Sequence, residues 1–398
     1  MIALNQLLFS AGTVSKRIDE ERYRYETDPS VLRYTKRDLA VLFWNLTLRC
    51  NLRCIHCYAN AKSEKSPNEL TENEIFGTID DLRRMGLPVV ILSGGEPMLH
   101  ENIYEISRYA DESGIRVTLS SNGTLIDEKS AFRLAESGVK YVGISLDGYG
   151  EKNDTFRGVR GAFERAVEGL RNVKDAGMMS GIRFTVTKYN VSDLPKVFEL
   201  GMELGIDRFC LYHLVPAGRS SREQDIDNVT RRWVIDYLIE KTYDLHDKSI
   251  EMEILTVDNP ADGVYLLLKL LREGDKRAGD VYRLLKRRGG DNSGIKAGNI
   301  DPWGNVHPNQ FWWDYTMGNV RNEKFDKIWA REDGIIRMLR REKKELLKGK
   351  CARCKFKDIC GGFRLRALRY NGDLWGEDPD CYLDEDEISV DVNDHGLY

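Results

Sequence analysis

The chain has 398 residues, of which 41% are hydrophobic and 31% are charged, a composition typical of a globular protein with an α/β core and a smaller second domain. The formal net charge of −4 argues against a nucleic-acid partner and against attraction to an anionic membrane. No segment approaches the roughly 20 apolar residues that span a bilayer, and the first residues lack the pattern of a signal peptide. We therefore expect a cytoplasmic protein.

Apolar runs alternate with amphipathic stretches from residue 41 to about residue 213. The runs predict six strands: Val41–Leu46, Val89–Leu92, Ile115–Leu119, Tyr141–Leu146, Ile182–Val186 and Phe209–Tyr212. This alternation predicts a parallel sheet with right-handed crossovers. Because six units are two fewer than a closed eightfold barrel needs, we expect an α/β fold with a partial (β/α)6 TIM-like barrel and chemistry at the carboxyl ends of the strands.

Capping patterns predict helices between these strands, including Glu72–Met85 behind a Thr71–Glu74 capping box and a helix that Asp127 caps. A later helical stretch is predicted at Phe325–Leu347. We divide the chain into an irregular lead-in (1–40), the barrel (41–215), a helical bridge with one strand at Glu251–Val257 (216–293), a Gly-, Trp- and Cys-rich domain with a hairpin at Ile300–His307 (294–384), and an acidic, mobile tail (385–398).

Seven of the eight cysteines fall into two groups, and only Cys210 stands alone in an apolar run, where core packing explains it. Cys50, Cys54 and Cys57 directly follow the first strand. Three thiolates on one loop would leave one iron of a four-iron cluster open to another ligand. The alternative is a structural zinc site, which needs a fourth ligand such as His56.

This triplet, followed directly by Tyr58, resembles the radical S-adenosylmethionine (AdoMet) superfamily, in which AdoMet chelates the open iron. A second motif follows the second strand and resembles the element that holds the methionine amine of AdoMet: Gly94, Gly95, Glu96 and Pro97. Adjacent glycines allow a ligand close to the backbone, and the Glu96 carboxylate would attract the ammonium. The resemblance also places Ser145 near the ribose and Arg157 on the AdoMet carboxylate, which a guanidinium matches in shape.

The second group comprises Cys351, Cys354, Cys360 and Cys381, and its spacing alone fits either an iron–sulfur cluster or zinc. Its context resembles the auxiliary-cluster domain called SPASM or, when shortened, twitch, which implies iron. A two-cluster SPASM domain would have further cysteines where this chain has Ile295, Asn309, and Phe363 or Arg364. The resemblance therefore implies one auxiliary cluster here and two [4Fe–4S] clusters in total.

Nearly the whole chain resembles the radical AdoMet enzymes that modify tetrapyrrole side chains in the alternative haem pathway and in haem d1 biosynthesis. The resemblance rests on runs such as Val257–Gly263, Gly289–Gly294 and Cys360–Arg366. It implies an anaerobic enzyme that removes two acetate side chains from didecarboxysiroheme, giving iron-coproporphyrin through a 5′-deoxyadenosyl radical. It also implies an iron tetrapyrrole substrate and a reducing electron donor of the flavodoxin or ferredoxin type.

Three alternatives stay open. Removal of propionates in haem d1 biosynthesis is the nearest one. A peptide-modifying maturase often has a leader-binding domain of roughly 80 residues, whereas 40 residues precede the first strand here. A non-enzymatic iron–sulfur protein would leave the motif Gly94–Pro97 without a function.

Substrate contacts are predicted from residue type alone. Arginines beside Cys360 could bind substrate carboxylates, tryptophans could stack on the macrocycle, and histidines could ligate its iron. For the arginines, solvent exposure is an equally good explanation, whereas core packing is favoured for the tryptophans and a structural role for the histidines. The residues concerned are Arg364, Arg366, Arg369, Trp312, Trp313, His213 and His307.

Overall fold

A computed structural model describes residues 1–10 and 39–396. Its strands are β1 (Ile2–Ala3), β2 (Val41–Asn45), β3 (Val89–Ser93), β4 (Arg116–Ser121), β5 (Val139–Ser145), β6 (Met179–Val186), β7 (Arg208–His213), β8 (Glu253–Val257), β9 (Ala297–Ile300), β10 (Asn305–His307) and β11 (Gly318–Asn319). All of them join one sheet in the order β1-β8-β7-β6-β5-β4-β3-β2-β9-β10-β11.

The barrel consists of β2 to β8, each paired in parallel with the next strand along the chain. All six predicted strands are present, with ends within three residues of those expected. β8, predicted as a strand within the helical bridge, adds a seventh parallel strand. The prediction of an α/β partial barrel is confirmed, and the barrel is open because β2 and β8 each pair with a different outer strand.

Helices of the barrel and bridge cover this sheet: α1 (Leu4–Phe9), α2 (Glu72–Arg84), α3 (Ile103–Glu112), α4 (Glu128–Glu136), α5 (Glu151–Arg157), α6 (Ala162–Asp175), α7 (Leu194–Leu204), α8 (Asn228–Asp247), α9 (Ala261–Arg272) and α10 (Ala278–Arg288). The predicted capping box is formed, since Thr71 Oγ1 accepts from the Glu74 amide and Glu74 accepts from the Thr71 amide. Asp127 likewise caps α4. None of the helices within the described ranges is long and apolar enough to cross a membrane.

The C-terminal region continues the same sheet, because β9 pairs in parallel with the far side of β2. The predicted hairpin is confirmed as the antiparallel pair β9–β10. The C-terminal region has short helices. Within the single helical stretch expected at Phe325–Leu347 lie α11 (Phe325–Trp329), α12 (Gly334–Arg337) and α13 (Lys343–Leu346). Beyond it follow α14 (Gly349–Arg353), α15 (Arg364–Asn371) and α16 (Glu385–Ser389). The break before α12 coincides with Gly334, whose φ of 45° lies in the left-handed region.

The prediction of an irregular lead-in is wrong for residues 1–10, and its remainder, 11–38, lies outside the described residues. β1 pairs antiparallel with β8, and α1 buries Leu4, Leu7 and Leu8 against the core. The apolar patch of the first residues therefore completes the sheet edge and the core beside it.

The prediction of a mobile tail is also wrong for residues 385–396. Asp384 and Glu387 form a capping box at α16, and Glu387 is only 2% exposed. Its carboxylate pairs with Arg232 and Arg272, both at 2.6 Å. Burial alone would raise the pKa of Glu387, but the hydrogen bonds from these two arginines outweigh it and lower the pKa to about 2.

Glu387→Gln should reduce the free energy of unfolding by about 1–2 kcal/mol, because it removes charge-assisted hydrogen bonds at a buried site. A carboxyl whose pKa is lowered by folding stabilises the protein fully above its unfolded pKa of about 4.3. The loss should therefore be equal at pH 6 and pH 8 in anaerobic urea denaturation.

Glu385→Gln is the matched control, since Glu385 forms an exposed ion pair with Arg353. It should change the unfolding free energy by less than about 0.5 kcal/mol. An equal effect of the two substitutions would contradict the assigned role of Glu387.

Candidate active site

The first cysteine group lies on the loop that leaves β2. Glu69 anchors the loop, because one of its carboxylate oxygens accepts from Thr47 Oγ1 (3.0 Å) and from the Leu48 amide (2.9 Å). The Cys50 amide donates to Lys62 O at 2.7 Å, which closes the loop. The three cysteines Cys50, Cys54 and Cys57 are thereby brought together in one cluster.

The thiols of this loop receive hydrogen bonds that suit sulfur anions. The Leu52 amide donates to Cys50 Sγ (3.4 Å), and Arg157 Nη1 donates to Cys54 Sγ (3.5 Å). Burial raises the pKa of Cys50 to about 12, and the charge of Glu96 adds to this rise. Burial also raises the pKa of Cys54, against the opposing charge of Arg157. Positive charge from bound iron would favour the thiolates that burial disfavours.

The two glycines after β3 pack directly against this loop. A Cβ at Gly94 would lie 2.5 Å from Thr47 O, and one at Gly95 would lie 2.4 Å from Arg49 O. The Gly95 and Glu96 amides donate to the same two carbonyls at 2.6 and 2.8 Å. Only residues without a side chain permit this contact, so the glycine pair holds the end of β3 against the cysteine loop.

Together these elements line a cleft of about 970 Å³ that opens to solvent, which we call the first cavity. All three cysteines of the first group line it, together with Ser93, Gly94, Gly95, Ser120, Ser121, Asn122, Ser145 and Arg157. Four predicted cofactor residues, Gly94, Gly95, Ser145 and Arg157, therefore share one cavity with the cysteine loop. A cleft lined by backbone and by a few convergent polar groups has the character of a small-molecule site.

Glu96 and Pro97, also predicted to contact AdoMet, lie behind this wall. Glu96 has no exposure, and its carboxylate accepts from Ser121 Oγ (2.7 Å), the Asn122 amide (2.8 Å) and the Met98 amide (3.1 Å). Burial raises its pKa against these hydrogen bonds. Pro97 begins the short 3-10 helix Pro97–Leu99. Glu96 thus joins the ends of β3 and β4, and a direct contact with AdoMet stays a prediction.

Arg157 ends α5 and is held beside the cysteines by Asp147, a residue without an assigned role in the sequence analysis. The Arg157 and Asp147 side chains form an ion pair, and His56 Nε2 lies 3.3 Å from the same carboxylate. Burial alone would raise the pKa of Asp147, but the charges of Arg157 and His56 outweigh it and lower the pKa. The sequence signal for Asp147 was its position two residues after Ser145.

These residues fit a four-iron cluster with bound AdoMet. Two buried thiols, Cys50 and Cys54, and the half-buried Cys57 share a cavity with the glycine pair, and Arg157 Nε is buried there without a hydrogen-bond partner. An unsatisfied guanidinium nitrogen is the group that a carboxylate ligand would complete. The zinc alternative is weakened, because His56, its proposed fourth ligand, is engaged by Asp147.

The second cysteine group also converges. Cys351, Cys354, Cys360 and Cys381 are close enough for the charges of the other three to raise the pKa of Cys360, in addition to the larger effect of burial. Four converging thiols are the ligand set that a four-iron cluster takes.

Arg364 and Arg366 were predicted as clamps for substrate carboxylates, and the structure corrects this. Both have no exposure. Arg364 donates to Gly376 O (2.6 Å) and to Cys351 Sγ (3.6 Å), and Arg366 lies 2.7 Å from Asp380 and 3.2 Å from Asp378. They position the segment that carries the second cysteine group, and neither can reach a substrate.

The remaining candidates are engaged within the protein as well. His213 contacts Asp262 (2.9 Å) and Arg231 (3.0 Å) through its two ring nitrogens, and those of His307 contact Asp301 and Tyr315 O. Packing or pairing within the protein also accounts for the other three: Trp312 is 2% exposed, Trp313 stacks on His307, and Arg369 pairs with Asp314. Cys210 is buried in a small apolar cluster, so the prediction of core packing is confirmed for it.

A second cavity of about 810 Å³ adjoins the first, and Asp258, Gln310 and Phe311 line both. It lies between the open side of the barrel and the C-terminal region. Its wall combines aromatic rings with polar groups and includes Phe43, Phe363, Arg288, Asp291, Lys296 and Asn309. The site therefore offers one space beside the cysteine loop and a second, partly aromatic space next to it.

The motifs and their geometry agree with two family models. The model of the radical SAM superfamily matches residues 44–201, and the iron–sulfur cluster-binding SPASM domain matches residues 294–355. The chain is a radical SAM enzyme with a SPASM region. It uses a [4Fe–4S] cluster together with AdoMet, and its SPASM region binds auxiliary iron–sulfur in cluster form.

Two curated relatives cover almost the whole chain. The Fe-coproporphyrin III synthase of Methanosarcina barkeri is 44% identical over 98% of this chain and 99% of its own length. The pre-heme d1 synthase of Dinoroseobacter shibae is 41% identical over 90% of this chain and 89% of its own. Among solved structures, SuiB of Streptococcus suis bound to S-adenosylmethionine has the same fold, with a TM-score of 0.69 at 18% identity over 87% of this chain and 78% of that one.

Cys50→Ala should abolish AdoMet cleavage and remove about half of the bound iron, because a cluster held by three thiolates does not survive the loss of one. Anaerobic iron counting and 5′-deoxyadenosine assays would measure both effects. Cys210→Ala is the control and should retain all iron. Unchanged 5′-deoxyadenosine production by Cys50→Ala would contradict the assignment.

A variant with alanine at Cys50, Cys54 and Cys57 should remain brown and keep a four-iron spectrum from the second cysteine group. Adding Cys360→Ala should remove this colour, since the auxiliary cluster then loses a ligand. A colourless triple variant that contains zinc would mean that the second group is a zinc site.

Proposed function

We propose that this enzyme removes the two acetate side chains of 12,18-didecarboxysiroheme and so produces Fe-coproporphyrin III. The main support is the 44% identity, over 98% of the chain, to a relative whose name states this product. The resemblance of this sequence to the tetrapyrrole side-chain enzymes points to the same reaction.

The site suits this chemistry. Cleaving a carbon–carbon bond beside a macrocycle requires a strong hydrogen abstractor, and the cluster with AdoMet supplies a carbon radical when bound. The protein contributes position and shielding. Arg157, held by Asp147, would bind the AdoMet carboxylate, and Ser145 would face the ribose. The glycine pair would offer backbone to the methionine amine.

We place the macrocycle in the second cavity, with its reacting side chain in the first. The two spaces adjoin at Asp258, Gln310 and Phe311, which line both, and this adjacency supports the placement. Phe311 also packs edge-on against Tyr58 at 5.3 Å, next to the last cysteine of the cluster loop. Aromatic residues in the second cavity suit a flat, apolar ring.

We propose a single auxiliary cluster, ligated by Cys351, Cys354, Cys360 and Cys381, and hence two clusters in total. Two of the positions where a two-cluster domain would have cysteines, Asn309 and Phe363, line the second cavity instead. In this chain the room that a further cluster would need is therefore available to a large substrate.

Haem d1 chemistry remains the second candidate, because the pre-heme d1 synthase is only slightly less similar at 41%. A maturase is less favoured, since the mycofactocin maturase of Mycolicibacterium smegmatis is 32% identical over 85% of this chain. We further propose a flavodoxin- or ferredoxin-type donor and a cytoplasmic location, because both clusters need a reducing environment.

Anaerobic incubation with reductant, AdoMet and 12,18-didecarboxysiroheme should give a product that has lost two acetate side chains, measured by mass spectrometry. The Cys50→Ala variant is the control and should give none. Turnover of a haem d1 precursor with propionate loss, and none of didecarboxysiroheme, would favour the second candidate. Inertness toward both tetrapyrroles would make the maturase the leading hypothesis.

A further inference from the structure

One cation in the wall of the first cavity has neither an ion pair nor a side-chain hydrogen bond among the described residues. Arg183 lies on β6, and its side chain lines the cavity beside Thr185. Within residues 1–10 and 39–396, no ion pair and no side-chain hydrogen bond involves its guanidinium. Its side chain instead contacts the Tyr212 ring, whose centroid lies 4.5 Å from Arg183 Cζ, and packs against the backbone of Gly143.

The neighbouring arginines, in contrast, have partners within the protein. Arg208 on the adjacent strand pairs with Glu253 at 2.6 Å, and Arg157 pairs with Asp147. Arg219, which also lines the cavity, donates to Cys54 O (2.9 Å) and Ala61 O (3.0 Å). Arg183 is half-buried and makes no such bond among the described residues, so its guanidinium is available to a molecule bound in the cavity.

The surroundings hold the Arg183 stem in place. A Cβ at Gly143 would lie 2.9 Å from Arg183 Cδ, so glycine at this position of β5 leaves room for the stem. The Tyr212 ring lies against the guanidinium plane, an arrangement that favours a cation. The head group is therefore presented to the cavity by a preformed support.

Arg183 also acts electrostatically on Asp258, which lines both cavities. Burial raises the pKa of Asp258 to about 6, and Arg183 is among the cations that oppose this rise. Asp258 has a φ of 69°, lines both cavities, and its Oδ2 is buried without a hydrogen-bond partner. Arg366 holds its backbone, donating to Asp258 O at 2.7 Å. The junction thus carries one unpaired cation near one carboxyl group.

We infer that Arg183 binds a carboxylate of the substrate's side chain and so positions that side chain between the AdoMet site and the second cavity. This inference rests on the proposed function, which supplies a polycarboxylate substrate. A guanidinium accepts a carboxylate with two parallel hydrogen bonds, which would set the orientation of the side chain as well as its affinity. Arg183 acts in this way as a specificity-determining residue.

The test compares free-acid 12,18-didecarboxysiroheme with its methyl ester, by anaerobic optical titration of the cluster-loaded enzyme. Wild type should bind the acid about tenfold to a hundredfold more tightly than the ester, the range expected for a charge-assisted hydrogen bond. Arg183→Gln should bind the acid about as weakly as the ester. Arg183→Lys keeps the charge and the stem, and should retain part of the discrimination.

Iron content and AdoMet affinity report on folding and on the cofactor site, and both should stay within about twofold of wild type in the variants. Arg171→Gln, which alters an exposed arginine paired with Glu168, is the matched control and should retain the full acid-to-ester ratio. A purely structural role would lower stability without changing that ratio.

Two results would overturn the inference alone. One is a wild-type acid-to-ester ratio in both Arg183 variants, and the other is a tenfold loss of AdoMet affinity with unchanged tetrapyrrole binding, which would assign Arg183 to the cofactor. If wild type binds neither the acid nor the ester, the proposed function itself fails and the inference fails with it.

Discussion

The parallel pairing of β2 with strands on both sides determines where the two iron–sulfur regions lie. β3 pairs with one edge of β2 and β9 with the other, so backbone hydrogen bonds join the barrel to the C-terminal region. Asn45 ends β2 and bonds to Asn299 (2.7 Å) and Tyr58 (2.9 Å). The cysteine loop, the glycine motif and the second cavity are therefore all positioned from one strand.

Buried ion pairs fix the positions of arginine side chains beside the two cysteine groups. Arg157 with Asp147, and Arg366 with Asp378, each lie beside a cysteine group and have little or no exposure. Such pairs contribute little net stability, because desolvation offsets their attraction. Their value here is geometric: each arginine is held in one orientation, and Arg366 extends this order to Asp258 at the junction of the cavities.

Strands, caps and cysteine groups were predictable because each depends on local sequence: apolar runs, capping residues and ligand spacing. The substrate residues were not. Arg364 and Arg366 stand next to Cys360 in sequence, yet both are buried, whereas Arg183 lies in an ordinary strand with no motif around it. Which arginine is paired depends on acids far away in sequence, such as Glu253 for Arg208. The order of the tail could not be predicted for the same reason, since the partners of Glu387 lie on α8 and α9.

The pairing of β1 with β8 has a consequence for how the chain folds during synthesis. Ile2 pairs with Thr256, which lies far along the chain. β2 likewise pairs with β9, which begins only at Ala297. β1 and β2 are therefore synthesised well before all of their partners are available. Long-range pairing of this kind slows folding and leaves apolar edges open to other chains. Slow translation at low temperature, or added chaperones, should consequently raise the yield of well-folded enzyme.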